Sequence, residues 1–299
     1  VDNLKILITG GTGFVGSHIV AAAQAAGHDV VSLSRGQVGQ SHLYPVANVA
    51  IDLVHPAELE QALESVDAVV HAAGVMREDD NQSFERAHVG ATANLIDACL
   101  KVRVGKIIFI SALGARIDSQ IPYLRTKWQA EDIVGSSGIP FTIFRPSLIF
   151  GQNDRLVSHL VSLLRYSPLV PVFGPDGAQV QPVWVGDVAT AVLRSIDDRS
   201  SDGRTFQLGG PTAMSFEQIV ETVRKSSGSR ALSVRVPSFI TGPFLKLGKQ
   251  LFDDPPMTDE QLSLLAAGGT CDPDPAAVAF GLRMRSLDDS LLDYLSPTS

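Results

Sequence analysis

Short apolar runs alternate with longer stretches of helical spacing through the first half of the chain. The runs predict strands at 5–9, 29–33, 49–53, 68–72, 106–110 and 141–144, and apolar positions three and four apart predict helices from Phe14, near 56–65, near 84–99 and around 123–134. Such alternation dictates right-handed crossovers between parallel strands, so the expected fold class is α/β with a doubly wound parallel sheet. Pro and Gly become dense from 151 to 182, and the regular pattern stops there. Residues 181–209 read as a return to the first domain, 1–150. The stretches 151–180 and 210–299 read as a smaller, interleaved C-terminal lobe.

The first strand runs directly into Thr9-Gly10-Gly11-Thr12-Gly13-Phe14-Val15-Gly16. Gly10 permits a sharp turn, Gly13 lets backbone approach a pyrophosphate, and Gly16 lets the following helix pack closely, which is the Rossmann arrangement. The phosphates would face the first N–H groups of a helix and the positive end of its dipole. A dinucleotide is therefore expected on Gly10, Thr12, Gly13, Phe14, Val15 and Gly16. The apolar stripe Phe14-Val15, Ile19-Val20, Ala22-Ala23 and Ala26 supplies the helix that this motif needs.

Hydrophobic residues make up 44 % of the chain and aromatics only 6 %, which suits a Val/Ile/Ala sheet covered on both faces better than an aromatic-rich sandwich. A formal net charge of −8 argues against a nucleic-acid groove. Cys99 and Cys271 are far apart and belong to no metal or redox spacing, so reduced thiols and a cytoplasmic location are expected. The first apolar run is too short for a signal peptide and reads as a strand. The histidines and acids show no metal spacing, and none is expected to be bound.

Tyr123-Leu124-Arg125-Thr126-Lys127 opens a predicted helix, so Tyr123 and Lys127 stand one turn apart on one face. A free phenol has a pKa near about 10, and an adjacent ammonium stabilises the phenolate that proton transfer requires. The expected pair is an acid/base with its partner. Together with Asp52-Leu53, His71-Ala72-Ala73-Gly74 and Arg145-Pro146, these motifs resemble the short-chain dehydrogenase/reductase superfamily in its extended or atypical branch. The segments 110–115, 145–151, 181–189 and 256–262 are similar to bacterial relatives of the dehydrogenase-fold accessory subunit of respiratory complex I.

That resemblance implies that Asp52 and Leu53 border the adenine, that Ala72, Ala73 and Gly74 line the cofactor, and that Pro146 lies by the nicotinamide. It implies Ser111 as the third catalytic residue beside Tyr123 and Lys127, although Ala112 falls where the extended enzymes place their serine. His88 stands where relatives usually place an asparagine. Asp187 and His71 read equally well as fold-holding residues and as ligand contacts. No Asp-Glu pair follows Ser111, which disfavours a dehydratase.

The second strand ends in Ser32-Leu33-Ser34-Arg35, with no carboxylate for the ribose hydroxyls that NAD presents. Arg35 offers a fork of donors for a 2′-phosphate and Ser34 a hydroxyl, so NADP(H) is favoured while NAD(H) stays open. The leading expectation is an NADP(H)-dependent oxidoreductase acting on an unidentified small molecule. The alternatives are a sugar-nucleotide epimerase that recycles its cofactor, and a non-catalytic NADPH-binding sensor or assembly subunit. The second lobe offers Arg155, Arg165 and Trp184 but no motif that names a substrate. Segment 243–252, with Phe244, Leu247 and Leu251 beside Lys246 and Lys249, reads either as lobe packing or as a peripheral contact with a membrane or a respiratory complex on its inner face.

Overall fold

The computed structural model describes residues 3–35, 47–53, 55–79, 82–172, 177–236 and 259–295. Segment 243–252 lies outside them. In chain order the first elements are β1 (Lys5–Thr9), α1 (Phe14–Ala25), β2 (Asp29–Ser34), β3 (Ala47–Ala50), α2 (Pro56–Ala62), β4 (Ala68–His71), a π-helical turn (Glu85–Gly90), α3 (Ala91–Val102), β5 (Lys106–Ile110), α4 (Pro122–Ser136) and β6 (Phe141–Pro146). They are followed by β7 (Ile149–Phe150), α5 (Leu156–Tyr166), β8 (Leu169–Val172), β9 (Gln179–Val180), β10 (Val183–Trp184), α6 (Val185–Asp197) and β11 (Arg204–Leu208). The last are β12 (Met214–Ser215), α7 (Phe216–Ser226), β13 (Leu232–Arg235), α8 (Asp259–Ala267), α9 (Asp274–Ala279) and α10 (Leu287–Leu295).

A seven-stranded sheet has the order β11-β6-β5-β4-β1-β2-β3, with parallel pairing running from β6 through β5, β4, β1 and β2 to β3. The doubly wound α/β expectation is met. Alternation along each strand sends Leu7, Val69, Ile107 and Ile143 to one face, where they pack with Leu59, Leu63, Leu95, Ile96, Ala130 and Val134 from α2, α3 and α4. Strand β3 sits earlier than the expected 49–53. Its pairing with β2 ends at Ser34 opposite Ala50, and Ile51 and Leu53 are buried beyond the ladder. The expected single helix near 84–99 is a π turn running into α3.

The chain divides into two compact units: residues 1–146, 186–207 and 274–282 form the first, and 147–185, 208–273 and 283–299 the second. The expected boundaries at 150, 181 and 209 therefore fall at 146, 186 and 207, and 274–282 leaves the C-terminal lobe for the first unit. Aromatic packing explains that transfer. Phe280 stands edge-on to Phe144 at 5.3 Å and to Phe206 at 4.8 Å, and Arg194 donates to the Gly281 carbonyl at 2.9 Å. Burying one such ring contributes about 1.5–3 kcal/mol.

In the second unit, Leu160, Val170, Ile219, Val220, Val223 and Leu291 share a smaller core. Helix α7 starts on a capping box in which Gln218 N donates to Ser215 Oγ at 3.2 Å and Ser215 N donates to Gln218 Oε1 at 2.7 Å.

Candidate functional site

The C-terminal ends of β1, β2 and β4 open onto a cavity of about 780 Å³ within the first unit. Its inner wall is the glycine turn. Gly10 takes φ +71°, and a Cβ there would lie 2.8 Å from Ala73 Cα. A Cβ on Gly16 would stand 2.1 Å from the Gly10 carbonyl oxygen, so this glycine lets α1 close onto the turn. Gly13 precedes α1 in extended geometry with no side-chain cap and no acid in the first turn. The leading N–H groups thus keep their positive partial charge for a ligand anion.

At the other end, Ser34, Arg35, Asp52 and Leu53 line the cavity with Asp79, Gln82 and Arg86. Arg35 hydrogen-bonds the Gln82 side-chain oxygen across this end. Asp79, Gln82 and Arg86 were invisible to sequence reasoning, because the loop and the π turn that carry them meet the end of β2 only in the fold. The Arg86 guanidinium meets no acceptor among the described residues.

Beneath the Ala72–Gly74 rim lies a buried network whose proton positions follow from counting donors. Thr92 Oγ1 donates to the His88 carbonyl, so it accepts from His71 Nε2 at 3.0 Å. His71 Nδ1 then accepts from Thr9 Oγ1 at 2.7 Å, and Thr9 accepts in turn from Ala73 N at 3.2 Å. His88 is held between Thr126 Oγ1 at 2.9 Å and the peptide of Val75, whose N–H lies 3.2 Å from Nε2. Both rings are neutral: burial, reinforced by the Lys127 charge, pushes His71 down to about 3 and His88 down to about 2. His71 is thereby a fold-holding residue, and His88 ties the π turn and α4 to the rim. Asp187 is buried in the first turn of α6.

Helix α4 carries Tyr123 and Lys127 into this region. The Tyr123 ring stands edge-on to His88 at 5.4 Å and to Phe84 at 5.8 Å. Lys127 Nζ donates to the Ile110 carbonyl at 2.8 Å and lies 4.9 Å from the Phe109 ring centre. A side chain at Gly74 would come within 3.4 Å of that nitrogen, which places Lys127 at the cavity's rim. An ammonium has three N–H groups, and the other two meet no acceptor among the described residues. Ser111 is buried at the end of β5 with an unpartnered Oγ. The expected lowering of the Tyr123 phenol is not met within the chain itself. Burial pushes it up to about 12, while the Lys127 ammonium is turned to Ile110 and is itself pushed down by burial to about 8. Glu131, one turn further on, is committed to Arg145 through a bidentate pair.

The model of the NAD dependent epimerase/dehydratase family matches residues 6–209. The chain belongs to this family. Among its relatives, the mitochondrial NADH-ubiquinone oxidoreductase 40 kDa subunit of Neurospora crassa is 29 % identical over 79 % of this chain and 64 % of its own length. The photosystem II assembly factor Ycf39 of Synechocystis is 26 % identical over 97 % of this chain and 90 % of its own. The chain spans about three fifths of the length of the mitochondrial relatives it matches. A solved UDP-glucose 4-epimerase from Thermotoga maritima shares the fold, with TM-score 0.75, 20 % identity and 96 % of each chain covered. The expected kinship with the complex I accessory subunit is borne out.

As a member of the epimerase/dehydratase family the chain places its expected residues in two groups. Gly10, Thr12, Gly13, Ser34, Arg35, Asp52, Leu53, Ala72, Ala73 and Gly74 line the cavity. Phe14, Val15, Gly16, Ser111, Tyr123, Lys127 and Pro146 are not in its wall. Phe14 and Val15 are half-buried in the first turn of α1, and Pro146 is buried with its carbonyl accepting from Leu113 N at 2.9 Å. The glycine cradle, the uncapped α1 and the unpartnered Ser111 Oγ and Lys127 N–H groups fit a nicotinamide dinucleotide.

Proposed function

We propose that the protein is an NADP(H)-dependent oxidoreductase in which Tyr123 exchanges the proton with a substrate oxygen. When bound, the nicotinamide supplies or accepts the hydride. The observation that supports this most is that the buried Ser111 Oγ is orphaned while its chain neighbour Ile110 takes one N–H of Lys127 and leaves two unused at the cavity's rim, since buried donors and acceptors are seldom left without partners. Lys127 holds a ribose hydroxyl, and Ser111 orients the substrate oxygen. A phenol raised to about 12 is an acid at neutral pH, so Tyr123 is poised to donate to a developing alkoxide, and reduction is the favoured direction. Tyr123→Phe keeps the ring and its contacts with His88 and Phe84. Turnover of reduced cofactor with a carbonyl panel is expected to fall by roughly 10²–10⁴-fold while cofactor affinity stays within about twofold. Normal turnover in this variant overturns the mechanism. An epimerase consumes no net cofactor, so the same assay separates that reading.

The preference for NADP(H) rests on Arg35 and on the lack of an acid at the end of β2. Calorimetric titration of Arg35→Ala is expected to weaken NADPH by roughly tenfold or more, the worth of about 1.5–3 kcal/mol for a charged hydrogen bond, with NADH unchanged. Equal affinities in the wild type rule the preference out. A second reading, NADPH held without turnover in a protein that serves a membrane complex, is supported by the names of the respiratory and photosystem relatives. Cofactor that co-purifies with the protein, with no consumption across the panel, favours it.

A further inference from the structure

In the second unit, β8 and β13 form a two-stranded parallel sheet in which Leu169 stands opposite Leu232 and Pro171 opposite Val234. Opposed residues share a face, and so do residues two apart. Val170 and Val172 turn to the core, at 0 % and 3 % exposure. Leu169, Leu232 and Val234 turn outward at 52 %, 67 % and 47 %, and Tyr166 at the end of α5 is 80 % exposed. Scattered exposed leucines need no explanation, whereas a sheet face with neighbouring apolar side chains marks a contact surface.

The charges around this face are arranged as well. A cavity of about 560 Å³ beside Tyr166 and Pro168 is lined by Arg165 and Arg230, and neither guanidinium meets an acceptor among the described residues. Other basic groups nearby are neutralised: Arg224 donates to Glu221 at 2.7 Å, and Arg235 lies 3.6 Å from Glu217. Ser229 Oγ already donates to the Leu164 carbonyl at 2.6 Å, whereas the two arginines and the Tyr166 hydroxyl have no partner among the described residues. In sequence, no acid occurs between Glu221 and Asp253, while Arg224, Lys225, Arg230, Arg235, Lys246 and Lys249 all fall in that run. This run belongs to a chain whose net charge is −8.

We propose that this face docks on an anionic phospholipid surface, with Leu169, Leu232 and Val234 at the acyl boundary and Tyr166, Arg165 and Arg230 at the headgroups. An exposed tyrosine and unpaired arginines flanking apolar side chains are the pattern of a membrane interface. A second copy of the chain is a poorer occupant, because self-pairing sets the arginines against their like. Attraction of a few basic residues to an anionic surface is modest and screened by ions, so binding is reversible and weakens with salt.

The test is co-sedimentation of the full chain with vesicles of phosphatidylcholine alone and of an equal mixture with phosphatidylglycerol. Pelleting is expected with the mixture only, and to diminish as salt is raised. Arg165→Glu/Arg230→Glu is expected to weaken partitioning by at least roughly tenfold. Leu169→Ser/Leu232→Ser weakens it independently, and these exposed positions leave the fold intact by circular dichroism. Arg116→Glu, on an exposed turn of the first unit, leaves binding unchanged. The proposal is overturned if neither vesicle pellets the protein, if both do equally, or if both double variants still bind. It is also overturned if only Lys246→Glu/Lys249→Glu abolishes binding. Dimerisation by light scattering that Leu232→Ser removes, or retention on an acidic polypeptide without vesicle binding, assigns the face to a protein occupant instead.

Discussion

Lys127→Met is expected to stabilise the folded chain at neutral pH and to weaken NADPH binding in the same protein. Burial pushes this ammonium from its ordinary 10.5 down to about 8, so the folded state holds a charge that the unfolded state hydrates freely. Between those two values the unfolded chain binds more protons than the folded one. Wild-type stability therefore gains from this residue as pH rises through that window, and below it the buried charge is a standing cost. Methionine removes the charge and fills the space against Phe109, at the expense of the bond to the Ile110 carbonyl. The net gain at neutral pH is about 1–2 kcal/mol, seen as a rise of a few degrees in the thermal midpoint. The gap closes by about pH 10. Cofactor affinity, which loses two donors and a charge, is expected to fall by about tenfold in calorimetry. A midpoint that drops at neutral pH would mean that the ammonium is well solvated where it lies.

Acid is expected to unfold the first unit before the second. His71 and His88 have an ordinary value of 6.5 and are held down to about 3 and about 2. As pH falls below 6.5 the unfolded chain takes up a proton on each, and the folded chain does not. Stability is therefore lost with a limiting slope of about 2.7 kcal/mol per pH unit while both sites lag. Asp154, in the second unit, has the opposite sign: burial raises it from 3.8 to about 6, so the folded form takes its proton first. Hydrogen exchange at about pH 5 should lose protection in peptides from β1 to β6 ahead of those from α5 and α7. His88→Asn, which keeps a donor and an acceptor for Thr126 and Val75, is expected to halve the slope. Loss of protection that begins in α5 and α7 would contradict the assignment.

The glycine turn, β1 and the Tyr123/Lys127 helix were legible because their signals are local: a strand, a turn and a helix within a few residues of one another. The chemistry around Lys127 was not. Its orientation to Ile110 depends on how α4 crosses β5, and no spacing within α4 records that crossing. Strand β3 was misplaced for a related reason. Ile51 and Leu53 carry the apolar signal, but the ladder partners supplied by β2 run out at Ser34. The π turn that buries His88 is set by contacts with Val75 and Thr126, which lie 13 and 38 residues away. Arg86 and Gln82 escaped for the same cause.

The first unit is threaded from three pieces of chain, and the last of them ends at 282. During synthesis the early strands emerge long before β11 and α9, so Phe144 waits without its ring partners Phe206 and Phe280. A nascent chain in that condition carries an aromatic edge of the kind that chaperones bind and that drives aggregation. Completion of the nucleotide-binding unit is consequently a late event, gated by a helix that the ribosome delivers after most of the second unit, and fragments ending before 282 lack the part that covers that edge.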